Sequence, residues 1–297
     1  MPTFELLKKL RRIELHTRKI LNTTFVGEYR STFKGTGMEF IDVREYLPGD
    51  DIRSIDWKVT ARMGRPFVKK FVEERELTVI LCVDASGSGY FGTRSRFKLE
   101  QSAQVAATLA FSAVTNNDKV GLLFFTDRVE RYVPPRKGKQ HVMRLVRDIL
   151  LFQPQHRGTK PEAALEFVMH ILKHRAIVFL LSDFMGRGFS PDAARIPLGI
   201  AARKHDLVAI PITDLAESEL PRVGLVDLED AETGEIVTVD TSNARLRKAY
   251  QEHMQAMLAR RDRLFKQLGI DTIGLHTHDD FTPKLHKFFQ LRARRFH

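Results

Sequence analysis

The 297-residue chain carries a single cysteine, which excludes an internal disulfide framework and any zinc or iron–sulfur site built from several thiolates. It also lacks a long apolar run. The best, Ala176 to Leu181, breaks at Ser182-Asp183, far short of the roughly 18 residues that a membrane span requires. The start, MPTFELLKKLRRIELHTRK, carries a charge every two or three residues and has no signal-peptide apolar core. No repeat or low-complexity tract is present. What is there is ordinary for a globular protein, 43% hydrophobic and 29% charged, which excludes general disorder. These features predict a soluble protein of a reducing compartment, the cytoplasm.

Positive charge is in excess, 48 Lys and Arg against 37 Asp and Glu, and it is placed unevenly. Residues 1–76 hold 16 basic and 12 acidic side chains, residues 77–240 hold 20 of each, and residues 241–297 hold 12 and 5. The basic surplus therefore sits on the two ends around a neutral centre. Nucleic acid, an anionic membrane surface or an acidic protein suits such ends, as does a plainly solvated helix face.

From Leu77 onward strand-like and helix-like segments alternate. LTVILCVD (77–84), VGLLFFTD (120–127), AIVFLLSD (176–183) and DLVAIPITD (206–214) are short apolar runs without polar alternation, the pattern of strands buried on both faces. Between them the spacing predicts helices over 97–115, 140–151, 161–174 and from Ser190-Pro191, with a short strand near Glu130 to Val133. Thr159-Lys160-Pro161-Glu162 has the form of a capping box. LVDLEDAETGEIVTVD (225–240) alternates on both sides of Glu232-Thr233-Gly234 and predicts a β-hairpin, followed by a basic helix over 243–268, a last strand over 271–277 and a helix from Thr282-Pro283. The fold class expected is α/β, a doubly wound, mainly parallel sheet with an N-terminal α+β extension and an inserted β-hairpin. The expected divisions are a basic helical arm (1–32), a polar segment (33–76), the α/β body (77–278) and a basic C-terminal helix (279–297).

In such sheets ligands bind beyond the carboxyl ends of the strands, where strand order reverses. That rule directs attention to three strand ends in particular: Asp84, Asp127 and Asp183. The first continues as Asp84-Ala85-Ser86-Gly87-Ser88, which turns one carboxylate and two hydroxyls toward a common point. Thr159 and Asp183 are the natural additions from elsewhere. Hard oxygen donors of this kind suit Mg2+ or Mn2+. With so few carboxylates the ion stays electron-poor and keeps a position for a partner's Asp or Glu. Singly, Ser86, Ser88 and Thr159 are ordinary turn or cap residues; together with two strand-end carboxylates they form a candidate metal site.

These residues resemble the metal-ion-dependent adhesion site (MIDAS) of von Willebrand factor A domains. The resemblance implies that Asp84, Ser86, Ser88 and Thr159 hold the metal and that Asp183 often acts through a water. Upstream, Arg44-Glu45-Tyr46, Pro48-Gly49-Asp50-Asp51, Arg53, Ile55-Asp56-Trp57, Ala61-Arg62, Lys69 and Phe71 resemble the signature of the DUF58 family, bacterial and archaeal proteins that carry this A-type domain. That resemblance spans roughly residues 20–280. It implies a non-enzymatic adaptor that works with a MoxR-type AAA+ ATPase on a client protein. Many A-type domains have Asp or Asn after the motif Thr; here Lys160 follows, and its ammonium would weaken metal binding or attract the partner's carboxylate. Lys160 and Asp127 are the expected partner-binding residues.

Other patterns rank lower. Gly87-Ser88-Gly89-Tyr90-Phe91-Gly92 matches a dinucleotide-binding G-x-G-x-x-G, but that fold needs an acidic residue about 20 positions on, and Asp127 lies 35 past Gly92. His276-Thr277-His278-Asp279-Asp280 offers alternating imidazoles but no further ligand. Ser86 and Ser88 do not sit in G-x-S-x-G, and nothing marks a catalytic base. The alternative function is nucleic-acid binding through the basic ends.

Overall fold

The computed structural model describes residues 11–15, 17, 20, 23–33, 37–74, 76–90, 97–185 and 189–295. Much of the expected 1–32 arm, Gly92 of the glycine pattern and the last two residues lie outside them. Helix α1 spans Thr23–Thr32. The chain then divides into two compact units, Phe33–Leu77 and a larger one comprising 1–32 and 78–297. In sequence, the smaller unit is thus an excursion from the larger one.

The Phe33–Leu77 unit pairs β1 (Gly37–Glu45) antiparallel with β2 (Phe67–Glu74) and carries α2 (Trp57–Met63) between them. Its dense polar run organises its own turns. The Arg44 guanidinium grips Asp50 with two hydrogen bonds of 2.7 and 2.8 Å, and Asp50 also accepts from Leu47 N, closing the Pro-Gly turn. Asp56 caps α2 by accepting from Lys58 N and Val59 N, and Gly64, at φ +68°, ends that helix in the left-handed conformation that glycine adopts without a Cβ penalty.

The larger unit continues with β3 (Thr78–Asp84), α3 (Lys98–Thr115), β4 (Lys119–Phe125), β5 (Val129–Arg136), α4 (Lys139–Leu151), α5 (Pro161–Ile171), β6 (Ile177–Ser182), α6 (Pro191–Lys204), β7 (Asp206–Thr213) and the single turn α7 (Leu215–Ser218). Then follow β8 (Leu225–Glu229), β9 (Ile236–Asp240), α8 (Ala244–Gln267), β10 (Asp271–Thr272), β11 (Leu275–His276) and α9 (Thr282–Ala293). The main sheet runs β5-β4-β3-β6-β7-β10, parallel except for β5, which hairpins back on β4. Among the described residues, strands β8 and β9 pair only with each other.

Burial explains why the inner strands read as unbroken apolar runs: Val79 to Val83, Leu122 to Phe125 and Phe179 to Leu181 are all at most 1% exposed. On one face, Ile80, Cys82, Leu123, Phe125, Val178 and Leu180 pack with Leu165 and Val168 of α5, Leu198 of α6 and Phe265 of α8. Helix α3 is lined by buried alanines, among them Ala103, Ala106, Ala107 and Ala110. Small residues let a helix approach a sheet closely. Thr32 Oγ1 of α1 donates to Phe289 O of α9 at 3.0 Å, and the Tyr29 ring meets Phe289 edge-on, so these two helices lie together.

The expected strand over 271–277 is interrupted. Asp271 and Thr272 pair with Val208 and Ala209, and Leu275 and His276 pair with Ile212 and Thr213, in one register. Ile273 N donates to Ala209 O, so the next rung needs a donor from Pro211, and proline has none.

Candidate functional site

Strand β3 is where the sheet order reverses, with β4 on one side and β6 on the other. The carboxyl ends of β3 and β6 therefore place Asp84 beside Ser182-Asp183. Asp84 accepts from Ser86 N at 2.9 Å and from the Ser182 hydroxyl at 2.5 Å. Ser86 and Ser88 join hydroxyl to hydroxyl at 3.0 Å, and Asp183 Oδ1 accepts from Met185 N at 3.0 Å. Asp84, Ser86 and Ser88 are thus linked in sequence within one loop, with Ser182 joining Asp84 from β6. Ser182 also accepts from Phe184 N, and Phe184 is held at φ +52°, a left-handed conformation that costs a bulky residue energy and turns the chain sharply after β6.

The Thr159 loop is tied to this cluster by backbone. Gly87 N donates to Arg157 O at 2.9 Å, and Lys160 N to Thr126 O at 2.9 Å. Glu130 fixes the same loop from beneath, accepting from Gln155 N, His156 N, the Thr126 hydroxyl and the His156 ring. The expected capping box does not form. Lys160 is the N-cap of α5 without a side-chain cap bond, and both Glu162 carboxylate oxygens are buried without a partner among the described residues. Thr159, one position earlier, is 1% exposed, and its hydroxyl also has no partner there.

Sequence reasoning missed the residue that dominates the electrostatics. Lys98, the first residue of α3, is buried, and its ammonium bridges Asp183 at 2.8 Å and Glu217 of α7. Burial works against the Lys98 charge, but the two carboxylates outweigh it and raise its pKa. Burial likewise works against the Asp183 charge, yet Lys98 and the hydrogen bonds hold that carboxyl below its ordinary value. Asp84 has no such cation: burial first, then the Asp183 charge, push it up to about 7. Glu217 is also raised, mainly by burial. Lys98 bridges two of the three carboxylates, and the buried Arg261 guanidinium, paired with Asp262, donates to Asp183 O at 3.1 Å, so among the described residues the cluster carries surplus negative charge when all are ionised. The one available signal was a lysine opening a helix whose other charged residue is Glu100.

Two expected partner-binding residues lie apart from the buried donors. Asp127 is half-exposed and pairs with Arg128 at 3.1 Å, and the Lys160 side chain is exposed. The ammonium inside the site belongs to Lys98, not to Lys160. At the other candidate cluster, His276 shares a hydrogen bond with the Thr213 hydroxyl and His278 lies 3.3 Å from Asp279. Among the described residues, no three His, Cys, Asp or Glu side chains converge as a metal cluster. The candidate donors here are instead two carboxylates and three hydroxyls.

A mixed α/β body with a mostly parallel sheet, gathering carboxylates and hydroxyls at its order reversal, defines the class of this protein. Its family follows from comparison. The chain belongs to the family described as "Protein of unknown function DUF58", whose model matches residues 42–260. "Uncharacterized protein Rv1480" of Mycobacterium tuberculosis is 30% identical over 292 residues, covering 98% of this chain and 90% of that protein. "Uncharacterized protein YeaD" of Bacillus subtilis is 28% identical over 109 residues, 37% of this chain and 25% of that protein. Among solved structures, BatB from Bacteroides thetaiotaomicron is 14% identical with a TM-score of 0.47, over 73% of this chain and 99% of that one. The SpRpn10 VWA domain is 12% identical with a TM-score of 0.40, over 71% and 93%. No helix among the described residues is long and apolar enough to cross a membrane.

Proposed function

We propose that this protein is a non-enzymatic adaptor that binds partners through a divalent cation, Mg2+ or Mn2+, of the MIDAS type. Asp84, Ser86, Ser88 and Thr159 would hold the ion, with Asp183 acting beside them, and an acidic residue of the partner would complete it. The observation that carries the reading is the buried Thr159 hydroxyl, without a partner among the described residues, tied by its loop to a buried carboxylate cluster. Burying unpaired polar groups and charges is costly, and a hard divalent cation satisfies the hydroxyl and the charge deficit together. The cation would supply a Lewis-acidic point that selects a carboxylate. The Ser and Thr hydroxyls beside it furnish no base to activate water, which favours binding over hydrolysis.

The partner in this proposal is the one that the sequence resemblance implies: a MoxR-type AAA+ ATPase, with a client protein remodelled by the pair, in the cytoplasm. Nucleic-acid binding through the basic ends is the weaker reading. Several C-terminal cations are engaged within the fold, Arg292 with Asp206 and Asp271, Arg295 with Asp271, and Lys284 with Asp279. Calorimetric titration with Mg2+ tests the proposal. Wild type binds one ion and Asp84→Ala binds none while keeping its fold; equal binding by both removes Asp84 from the site and overturns the reading.

A further inference from the structure

A cation that captures a partner's carboxylate has to be reachable, and this site is covered. Asp84, Ser86, Thr159 and Asp183 are 8%, 0%, 1% and 4% exposed. Against the loop that carries Ser86 and Ser88 lies the turn of the β8–β9 hairpin. A Cβ placed on Gly87 would stand 2.1 Å from Ala231 O and 2.8 Å from the carbonyl carbon, so only glycine admits the turn this closely.

The exposure of the hairpin is unusual in its direction. Hairpin tips are ordinarily the wettest part of the element. Here Leu225 and Ile236 of the strands are 74% and 64% exposed, whereas Asp230, Ala231 and Glu232 on one side of the tip are half-buried and Thr233 and Gly234 beyond them are exposed. The tip is internally rigid: Asp230 Oδ1 accepts from Glu232 N and Thr233 N, and Gly234 N donates to Asp230 O. The base is closed by Thr241, whose amide and hydroxyl both donate to Gly224 O, with Gly224 at φ +87°. Neither strand joins the main sheet. The element is therefore a stiff arm, fastened at its base and seated at its tip.

We propose that this hairpin is a lid over the partner-binding face of the candidate cation site. The inference rests on the cation reading above and adds its regulation. In the closed state the tip denies access to the loop, and a partner engages when the arm lifts about its Gly224–Thr241 base. The tip sequence Glu229-Asp230-Ala231-Glu232-Thr233-Gly234-Glu235 is acidic at four of seven positions. The ligand that takes its place is accordingly an acidic segment of another protein, which meets the same surface with the same charge.

Gly87→Ala in the full chain is the direct test. Gly87 is not in the left-handed region, so alanine suits its backbone, and the added methyl collides with a backbone carbonyl that only a displaced tip can clear. A second variant replaces 226–239 with a short Gly-Ser linker and leaves the Asp84–Ser88 loop untouched. Hydrogen exchange of the 84–90 segment is the lid readout; both variants should exchange about tenfold faster or more than wild type, with β6 unchanged. Water-proton relaxation of bound Mn2+ is the metal readout, and it should rise in both variants. Unchanged exchange of 84–90 in the linker variant overturns the lid, whether or not Mn2+ binds. Failure of Mn2+ to bind any of the three proteins overturns the cation reading, while exchange still decides the lid.

Discussion

Lys98 holds two buried carboxylates with one ammonium, and the strength of that arrangement is what removal exposes. Lys98→Met leaves Asp183 and Glu217 buried without their cation. Breaking a buried ion pair from one side costs about 3–5 kcal/mol, far above the worth of a surface pair. Urea denaturation should show a loss of that size, and Lys98→Met with Glu217→Gln should recover part of it because the second change removes one orphaned charge. A loss below about 1 kcal/mol would mean that Lys98 lies in solvent and that the charge arithmetic of the site is wrong. At this scale the sequence was legible where a motif is local. Asp84, Ser86 and Ser88 stand within five consecutive residues, so the motif that names them can be read from one stretch of sequence. Lys98 and Glu217 are separated by 119 positions, and nothing in either neighbourhood announces the other. Ser182, which donates to Asp84 from 98 residues away, was hidden in the same manner.

Among elements, the loop over 155–160 has the most to reveal, because Thr159 is positioned by a side chain on a different strand. Glu130 of β5 gathers four donors, and removing it strands two loop amides and a ring nitrogen. Glu130→Ala should cost about 1–3 kcal/mol and quicken exchange at Gln155 and His156. Mg2+ affinity should fall although no donor is touched; unchanged affinity would show that the loop holds its shape without Glu130. Strands and helices of the body were readable from periodicity since packing and local pattern agree there. The pattern at Thr159 misled because a Thr before Pro-Glu fits a cap equally well, and only the surrounding fold leaves its hydroxyl without a helical amide. The gap between β10 and β11 was likewise invisible, as Pro211 interrupts a strand 60 residues away from itself.

For the molecule as a whole, the mostly parallel sheet was legible because strands covered on both faces must be apolar throughout. The order of strands was not, since it depends on which crossover goes to which side. Global stability should also report on His205, which is 1% exposed, with Nδ1 accepting from Ala176 N at 3.3 Å. Burial first, then Lys204 and Arg175, lower its pKa to about 4. The unfolded chain takes up this proton near pH 6.5 and the folded one does not, so stability present above that value is lost as pH falls toward 4, by about 2 kcal/mol at pH 5. Denaturation of wild type and His205→Gln between pH 7 and pH 5 should show the slope in wild type and a flatter one in the variant. Parallel profiles would place the ring in water.

The pairing of α1 with α9 has a kinetic corollary. Glu28 and His286 meet at 2.8 Å across 258 residues, and the whole Phe33–Leu77 excursion lies inside the loop that this contact closes. Closing so long a loop costs entropy before any contact rewards it, so the two helices dock after the barrier to folding has been crossed. Phe289→Ala should then hasten unfolding and leave the refolding limb of the chevron where it was. The seam between the chain's two ends would be the first part of the body to open under load.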